Sequence, residues 1–257
     1  MRFSKWHALG NAYLLVERAD VPGGHLTPEY VRRLCDVETG IGSDGVIEIT
    51  AQDGAVADAA IWNPDGSQAE FSGNGARIAA AWLAVRAERS DVVLRFGPRE
   101  VTAHVQGATV ELAAGPAEVS PPETLEVAGE ELEVTPVSVG NPHAVIRREA
   151  PADDLTRLGP LVENHARFPE RTNVQLVRVA GPGELEVAVW ERGAGATPSS
   201  GSSAVAAAAA AVVNGWCESP VTVVLPGGAL TVALDAGLNA TLTGPVEEIC
   251  RGEVLAR

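Results

Sequence analysis

Two short stretches of this chain combine hydroxyls and glycines at the threshold of an apolar run. They are Ser72-Gly73-Asn74-Gly75 and Ser199-Ser200-Gly201-Ser202-Ser203. Each stands where a helix must begin, so free backbone N–H groups and the positive end of a helix dipole meet there. Such a loop is a seat for a carboxylate or a phosphate. Ser and Gly also cap helices with no ligand involved, and that is the commoner reason to find them in such a place. An apolar strand and the charged pair Glu191-Arg192 lead into the second stretch. Alone, either stretch says little; the weight lies in there being two.

The elements that position them can be taken in chain order. Phe3–Val16 reads as a strand pair interrupted at Gly10-Asn11, and Thr27-Pro28 opens a helix through Cys35, with Thr as N-cap and Pro at the first helical position. Strands are expected at Val46–Ile49 and Ala57–Asn63, the second ending in the turn Asn63-Pro64-Asp65-Gly66. The first Ser-Gly loop then feeds a helix over Ala76–Arg86, followed by strands at Val92–Phe96, Val101–Val105 and Val110–Leu112. The second half repeats the order: Val137–Ile146 with Gly140-Asn141 inside it, a helix over Leu155–His165, and strands at Val174–Val179 and Leu185–Trp190. Ser200-Gly201 opens an Ala-rich helix, with strands at Val221–Leu225, Leu230–Leu234 and Leu238–Leu242 after it.

Subtraction fixes the register of this repeat. Gly10 and Gly140 lie 130 apart, Trp62 and Trp190 lie 128 apart, Ser72-Gly73 and Ser200-Gly201 lie 128 apart, and Gly97 and Gly227 lie 130 apart. A near-constant offset at four separated places implies two copies of one α+β unit, residues 1–118 and 119–257, divided in the Pro/Gly-rich stretch Gly115–Glu123. Two copies related by an approximate two-fold axis would each bring a Ser-Gly helix start to a shared cleft. That geometry suits a reaction that takes a proton from one face of a carbon and returns one to the other. Duplication without a shared site is the plain alternative.

Composition narrows the classes. Of 257 residues, 46% are hydrophobic and 21% charged, which is the make-up of a folded globular chain. A net charge of -15 argues against nucleic acid as the main partner. The longest apolar run, Ala204–Val213, is too short to span a bilayer, and the start of the chain lacks the pattern of a signal peptide, so a cytoplasmic location with no membrane partner is expected. Cys35, Cys217 and Cys250 are far apart and fit neither a disulfide framework nor metal-ligand spacing; they read as buried or partly buried small side chains.

Ordered motifs along nearly the whole chain resemble the diaminopimelate epimerase family. They run from Phe3-Ser4-Lys5 and Gly10-Asn11 through Gly42-Ser43-Asp44-Gly45, Asn63-x-Asp65-Gly66-Ser67 and Gly73-Asn74-Gly75-Ala76-Arg77. Beyond the midpoint come Val139-Gly140-Asn141-Pro142-His143, Phe168-Pro169-Glu170-Arg171-Thr172-Asn173, Trp190-Glu191-Arg192-Gly193-x-Gly195-x-Thr197 and Leu225-Pro226-Gly227-Gly228. The resemblance implies two similar domains, each a barrel-like sheet around a central helix, and a cofactor-independent epimerase acting on LL/meso-diaminopimelate or a close analogue. It implies that Asn11, Asn63, Asn173 and Arg192 hold the distal amino-acid end of the substrate. It likewise puts Glu191 and His143 beside the reacting centre, and Gly73, Asn74, Gly201 and Ser202 on the α-carboxylate. Dimerisation is a further family-level expectation. The physics suits these roles: a guanidinium grips a carboxylate bidentately, and paired helix N-termini hold charge that grows as the α-proton leaves. Singly, Asn11 and Asn63 could equally be turn residues, and Glu191–Arg192 a solvated ion pair.

One departure matters most. The family places cysteines immediately before the two helix-start glycines; here the acid/base positions are Ser72 and Ser200. Ionising a thiol of pKa about 8.5 at neutral pH costs roughly 2 kcal/mol. A hydroxyl near water's ~15.7 costs about 12 kcal/mol, which a dipole worth ~1–2 kcal/mol does not recover. Free alkoxide is excluded. The serines then exchange protons in concert with His143 or Glu191, or the site binds an amino acid or peptide-like ligand with no chemistry or with one-sided elimination or isomerisation, or the chain is a Cys→Ser double mutant made to trap substrate. A serine-hydrolase reading fits poorly, because neither serine stands in a G-x-S-x-G elbow and the second would have no task. Smaller departures are Ala8 and Ala12, where the family shows Gly and Asp, and Ser203, where it shows Gly.

Overall fold

The chain alternates hairpins with four long crossovers, and each crossover carries a helix. The structure is a computed structural model that describes residues 1–254; Leu255, Ala256 and Arg257, the end of the expected second repeat, lie outside the described residues. The first half comprises β1 (Arg2–Ala8), β2 (Asn11–Glu17), α1 (Pro28–Cys35), β3 (Val46–Asp53), β4 (Val56–Trp62), β5 (Gln68–Ala69), α2 (Gly73–Ala87), β6 (Asp91–Phe96), β7 (Arg99–Gln106) and β8 (Thr109–Pro116). There follow β9 (Glu118–Val119), β10 (Glu123–Val127), β11 (Glu130–Ser138), β12 (Pro142–Arg147), α3 (Pro151–Glu163), β13 (Asn173–Gly181) and β14 (Glu184–Glu191). The chain continues with β15 (Gly195–Thr197), α4 (Gly201–Val213), β16 (Val221–Leu225), β17 (Gly228–Leu234), β18 (Asn239–Pro245) and β19 (Glu247–Glu253).

The pairing pattern reproduces the repeat. β1 and β2 are antiparallel, β2 and β3 parallel, β3 and β4 antiparallel, β4 and β6 parallel, and β6, β7 and β8 antiparallel in turn. In the same order, β11–β12 is antiparallel, β12–β13 parallel, β13–β14 antiparallel, β14–β16 parallel, and β16–β17–β18 antiparallel. Parallel neighbours need a crossover, and α1 and α2, then α3 and α4, supply it. α1 begins as its sequence directs, the Tyr30 amide donating to the Thr27 hydroxyl at 3.2 Å. α3 starts at Pro151 rather than Leu155, because a proline suits the first helical position.

The helices α2 and α4 form the centres of their units. α4 touches β11, β12, β13, β14, β16 and β17, and every alanine from Ala206 to Ala211 is fully buried. A helix apolar on all sides is a buried one, and alanine combines high helix propensity with a slim surface that strands can approach. α2 packs likewise against β1, β2, β4, β6 and β7.

Two compact units result: Met1–Leu112 with the segment from Gly244 onward, and Ala113–Thr243. The expected second repeat ran through to residue 257. The structure assigns its last segment to the first unit, because β19 pairs antiparallel with β1 and Gly252 lies so close to the Phe3 ring that a Cβ there would sit 2.7 Å from it. The three cysteines are free; Cys35 and Cys217 are buried, whereas Cys250 on β19 is exposed, contrary to expectation. Among the described residues no helix is long and apolar enough to cross a membrane.

Candidate active site

Both serines occupy the N-cap of a central helix with nearly the same backbone, φ -140° and ψ 121° at Ser72 and φ -146° and ψ 120° at Ser200. The amides of Ala76 and Ala204 close the first turns onto the Ser72 and Ser200 carbonyls at 2.8 and 3.0 Å. Gly73 and Asn74, and Gly201 and Ser202, are therefore the opening residues of α2 and α4, where backbone N–H groups have no intrahelical acceptor. Each unit thus has a serine N-cap at the start of its central helix.

The two hydroxyls are set differently. Ser72 Oγ accepts from the Gly75 amide at 3.1 Å and from the Tyr13 hydroxyl at 3.2 Å. Ser200 makes no cap bond; with Thr197 it bears on the Glu191 carboxyl. Burial pushes Glu191 above the ordinary carboxylate range, and these two hydroxyls pull it partly back. Ser72 thus faces a phenol and Ser200 a carboxyl.

The imidazole of His143, on β12, is wholly enclosed. The Gln175 amide donates to Nδ1 at 3.0 Å, so Nε2 carries the proton and donates to Asn141 Oδ1 at 3.0 Å. Desolvation, the main cause, pushes its pKa down to about 3. A neutral imidazole with both nitrogens engaged is an orienting group, which leaves Glu191 as the better-placed base. The Gln175 amide also donates to the Ser203 hydroxyl at 2.9 Å, so this departure from the family pattern is buried with a partner.

Glu191 and Arg192 are held from both sides. Glu163, at the end of α3, accepts from Trp190 Nε1 at 2.7 Å, from the Gly193 amide at 2.9 Å and from Arg171 Nη1 at 3.0 Å. Gly159 lets α3 approach, since a Cβ there would meet Trp190 Cγ at 2.7 Å. Asn173 Oδ1 accepts from the Arg192 amide at 3.0 Å and its Nδ2 donates to the Pro142 carbonyl at 2.9 Å. The exposed Arg192 guanidinium reaches the Glu170 carbonyl at 3.2 Å.

In the first unit a polar chain runs from core to loop. Arg77 Nη2 donates to Asn74 Oδ1 at 2.8 Å, Asn74 Nδ2 to Asn11 Oδ1 at 3.0 Å, and Asn11 Nδ2 to Asp44 Oδ2 at 3.1 Å. The Ala12 amide donates to the same Asp44 oxygen at 2.7 Å. Asn63 lies apart from this chain: its Nδ2 donates to Ser67 Oγ at 2.9 Å, the turn role that residue type permits.

Within their units, then, the structure groups Ser72, Gly73, Asn74 and Asn11, and separately Ser200, Gly201, Ser202 and Glu191, with Asn173 and Arg192 at the same corner. Sequence reasoning missed Tyr13, Gln175, Glu163 and Arg77 as partners. Tyr13 and Ser72 are 59 positions apart, and no local pattern announces such a contact.

Comparison with known proteins shows the chain's kinship. Residues 3–120 and 135–249 match the family model described as diaminopimelate epimerase. A diaminopimelate epimerase of Synechococcus sp. (strain JA-3-3Ab) is 37% identical, over 98% of this chain and 97% of its own. That of Magnetococcus marinus is 35% identical, over 99% and 97%. Among solved structures, a hydroxyproline epimerase from Agrobacterium vitis covers 98% of this chain and 91% of its own, at a TM-score of 0.71 and 16% identity. A phenazine biosynthesis protein of the PhzF family from Bacillus anthracis covers 100% and 99%, at a TM-score of 0.71 and 14% identity. Those two likenesses speak for the fold; the sequence matches over nearly the full length speak for kinship. The chain belongs to the diaminopimelate epimerase family of isomerases.

Proposed function

We propose that this protein interconverts LL- and meso-diaminopimelate, or a close analogue, by exchanging the α-proton between two serine-centred pairs. At Ser200–Glu191 the carboxylate takes the serine proton as Ser200 Oγ takes the α-proton, so no free alkoxide forms. At Ser72–Tyr13 the serine delivers its proton to the carbanion while the phenol replaces it. The carboxylate of the substrate rests on the amides of Gly73, Asn74, Gly201 and Ser202, whose dipoles hold the charge that develops there. Arg192, Asn173, Asn11 and Asn63 bind the distal end, and the neutral His143 orients rather than titrates. The observation that carries this reading is the distinct ionisable partner beside each helix-start serine, Tyr13 at 3.2 Å and Glu191.

A second reading is an amino-acid-binding relative with weak or no turnover. It is favoured by Ser72 Oγ, which already accepts two hydrogen bonds as a helix cap. Incubation of LL- and meso-diaminopimelate in deuterated water separates the two. Wash-in of deuterium at the α-carbon, abolished by Glu191→Gln, supports the epimerase; tight binding with no exchange supports the binder. Restoring both thiols, Ser72→Cys with Ser200→Cys, is expected to raise exchange by at least about 100-fold, given the roughly 10 kcal/mol difference in ionisation cost. Failure of that variant would remove the substrate assignment as well.

A further inference from the structure

Arg77 lies one turn into α2 and is fully enclosed, with a relative exposure of 0%. Its Nη2 donates to Asn74 Oδ1 at 2.8 Å, while Nε and Nη1 have no partner among the described residues. Burial lowers its pKa only to about 10, so the guanidinium is charged at neutral pH. A buried cation without a counter-ion is a costly thing to keep in a core. The fold does not require it: 128 residues on, the matching place in α4 is Val205, buried and apolar.

We infer that Arg77 is a positioning residue for the first carboxylate seat, its uncompensated charge acting through Asn74 on the carboxylate of the bound amino acid. This rests on the epimerase reading. When the α-C–H bond breaks, the proton passes to a serine pair and the bonding electrons spread into the carboxylate, giving an enediolate. Negative charge therefore grows beside α2 in the transition state and not in the ground state. A fixed cation in a dry interior favours that growth, and adds to the helix dipole with the same sign. Its one hydrogen bond also settles which way Asn74 faces: Oδ1 is engaged inward, so Nδ2 is handed to Asn11.

The test compares Arg77→Met and Arg77→Lys by deuterium exchange into diaminopimelate, with kcat, KM and the thermal midpoint measured for each. Arg77→Met is expected to lower kcat by about 10- to 100-fold with KM changed less than about threefold, and to hold or raise the midpoint because an unpaired charge has left the core. Arg77→Lys is expected to recover part of kcat. Unchanged kcat in Arg77→Met, or a loss that follows a falling midpoint and is not recovered by lysine, overturns the inference and leaves the epimerase reading standing. Absence of exchange in the unaltered protein and in the double Ser→Cys protein alike overturns both.

Discussion

A serine hydroxyl moves a proton near neutral pH only when a second group shares the work, so the partners of Ser72 and Ser200 matter more than the serines. With Glu191 as the base, activity needs its carboxylate form. Its raised pKa therefore places the acid limb of kcat/KM above 4.5, the ordinary glutamate value, and activity is lost as pH falls through that limb. Glu191→Gln should abolish the limb together with the rate. His143 makes a separate prediction, about stability. Its folded pKa of about 3 lies below the ordinary 6.5, so the unfolded chain binds the extra proton between those values. The stability from keeping it neutral is complete above pH 6.5 and drains away as pH falls toward 3. Thermal midpoints measured across that window should drop for the unaltered protein and drop less for His143→Gln. The two helix starts were legible, because a Ser-Gly pair before an Ala-rich run is a local signal repeated at a fixed offset. Tyr13 and Gln175 were not, because each acts across the fold from a residue type that is ordinary in its own stretch, and Arg77 was not, because only the fold shows that it is buried beside Asn74.

At the level of elements, α4 depends on slimness. Ala207 is fully buried against the strands around it. Ala207→Leu adds volume to a filled interior and should cost about 1–3 kcal/mol, read as a lower urea midpoint with unchanged slope. An equal change at exposed Val213, on the last turn of the same helix, should be nearly neutral. The turn after β4 offers a second check. Gly66 has φ +85°, and a Cβ there would meet the Pro28 carbonyl at 2.5 Å. Gly66→Ala should therefore displace the Asn63–Ser67 turn from α1 and weaken any distal-end binding through Asn63. Helices and long strands were readable from caps, prolines and apolar periodicity. β19 was not: Glu-Glu-Ile-Cys-Arg-Gly-Glu has little apolar alternation, and it is a strand because β1 offers it an edge.

Across the whole molecule the repeat was legible and its closure was not. Helix-bearing crossovers recur in the same order in both halves, as the offsets of 128 and 130 required. Yet the first unit borrows its last strand from the far end of the chain, and that alters the order of events during synthesis. Its own residues are made by Leu112, but β1 gains β19 only when residues 247–253 emerge, after the second unit is complete at Thr243. At about 5–20 residues per second, the roughly 140 intervening residues take about 7–28 s. For that interval β1 presents a bare strand edge, the kind of template on which chains pair wrongly. The later half of the gene product should accordingly resist protease first: nascent chains halted after residue 243 should protect Ala113–Thr243 while Met1–Leu112 is still cut.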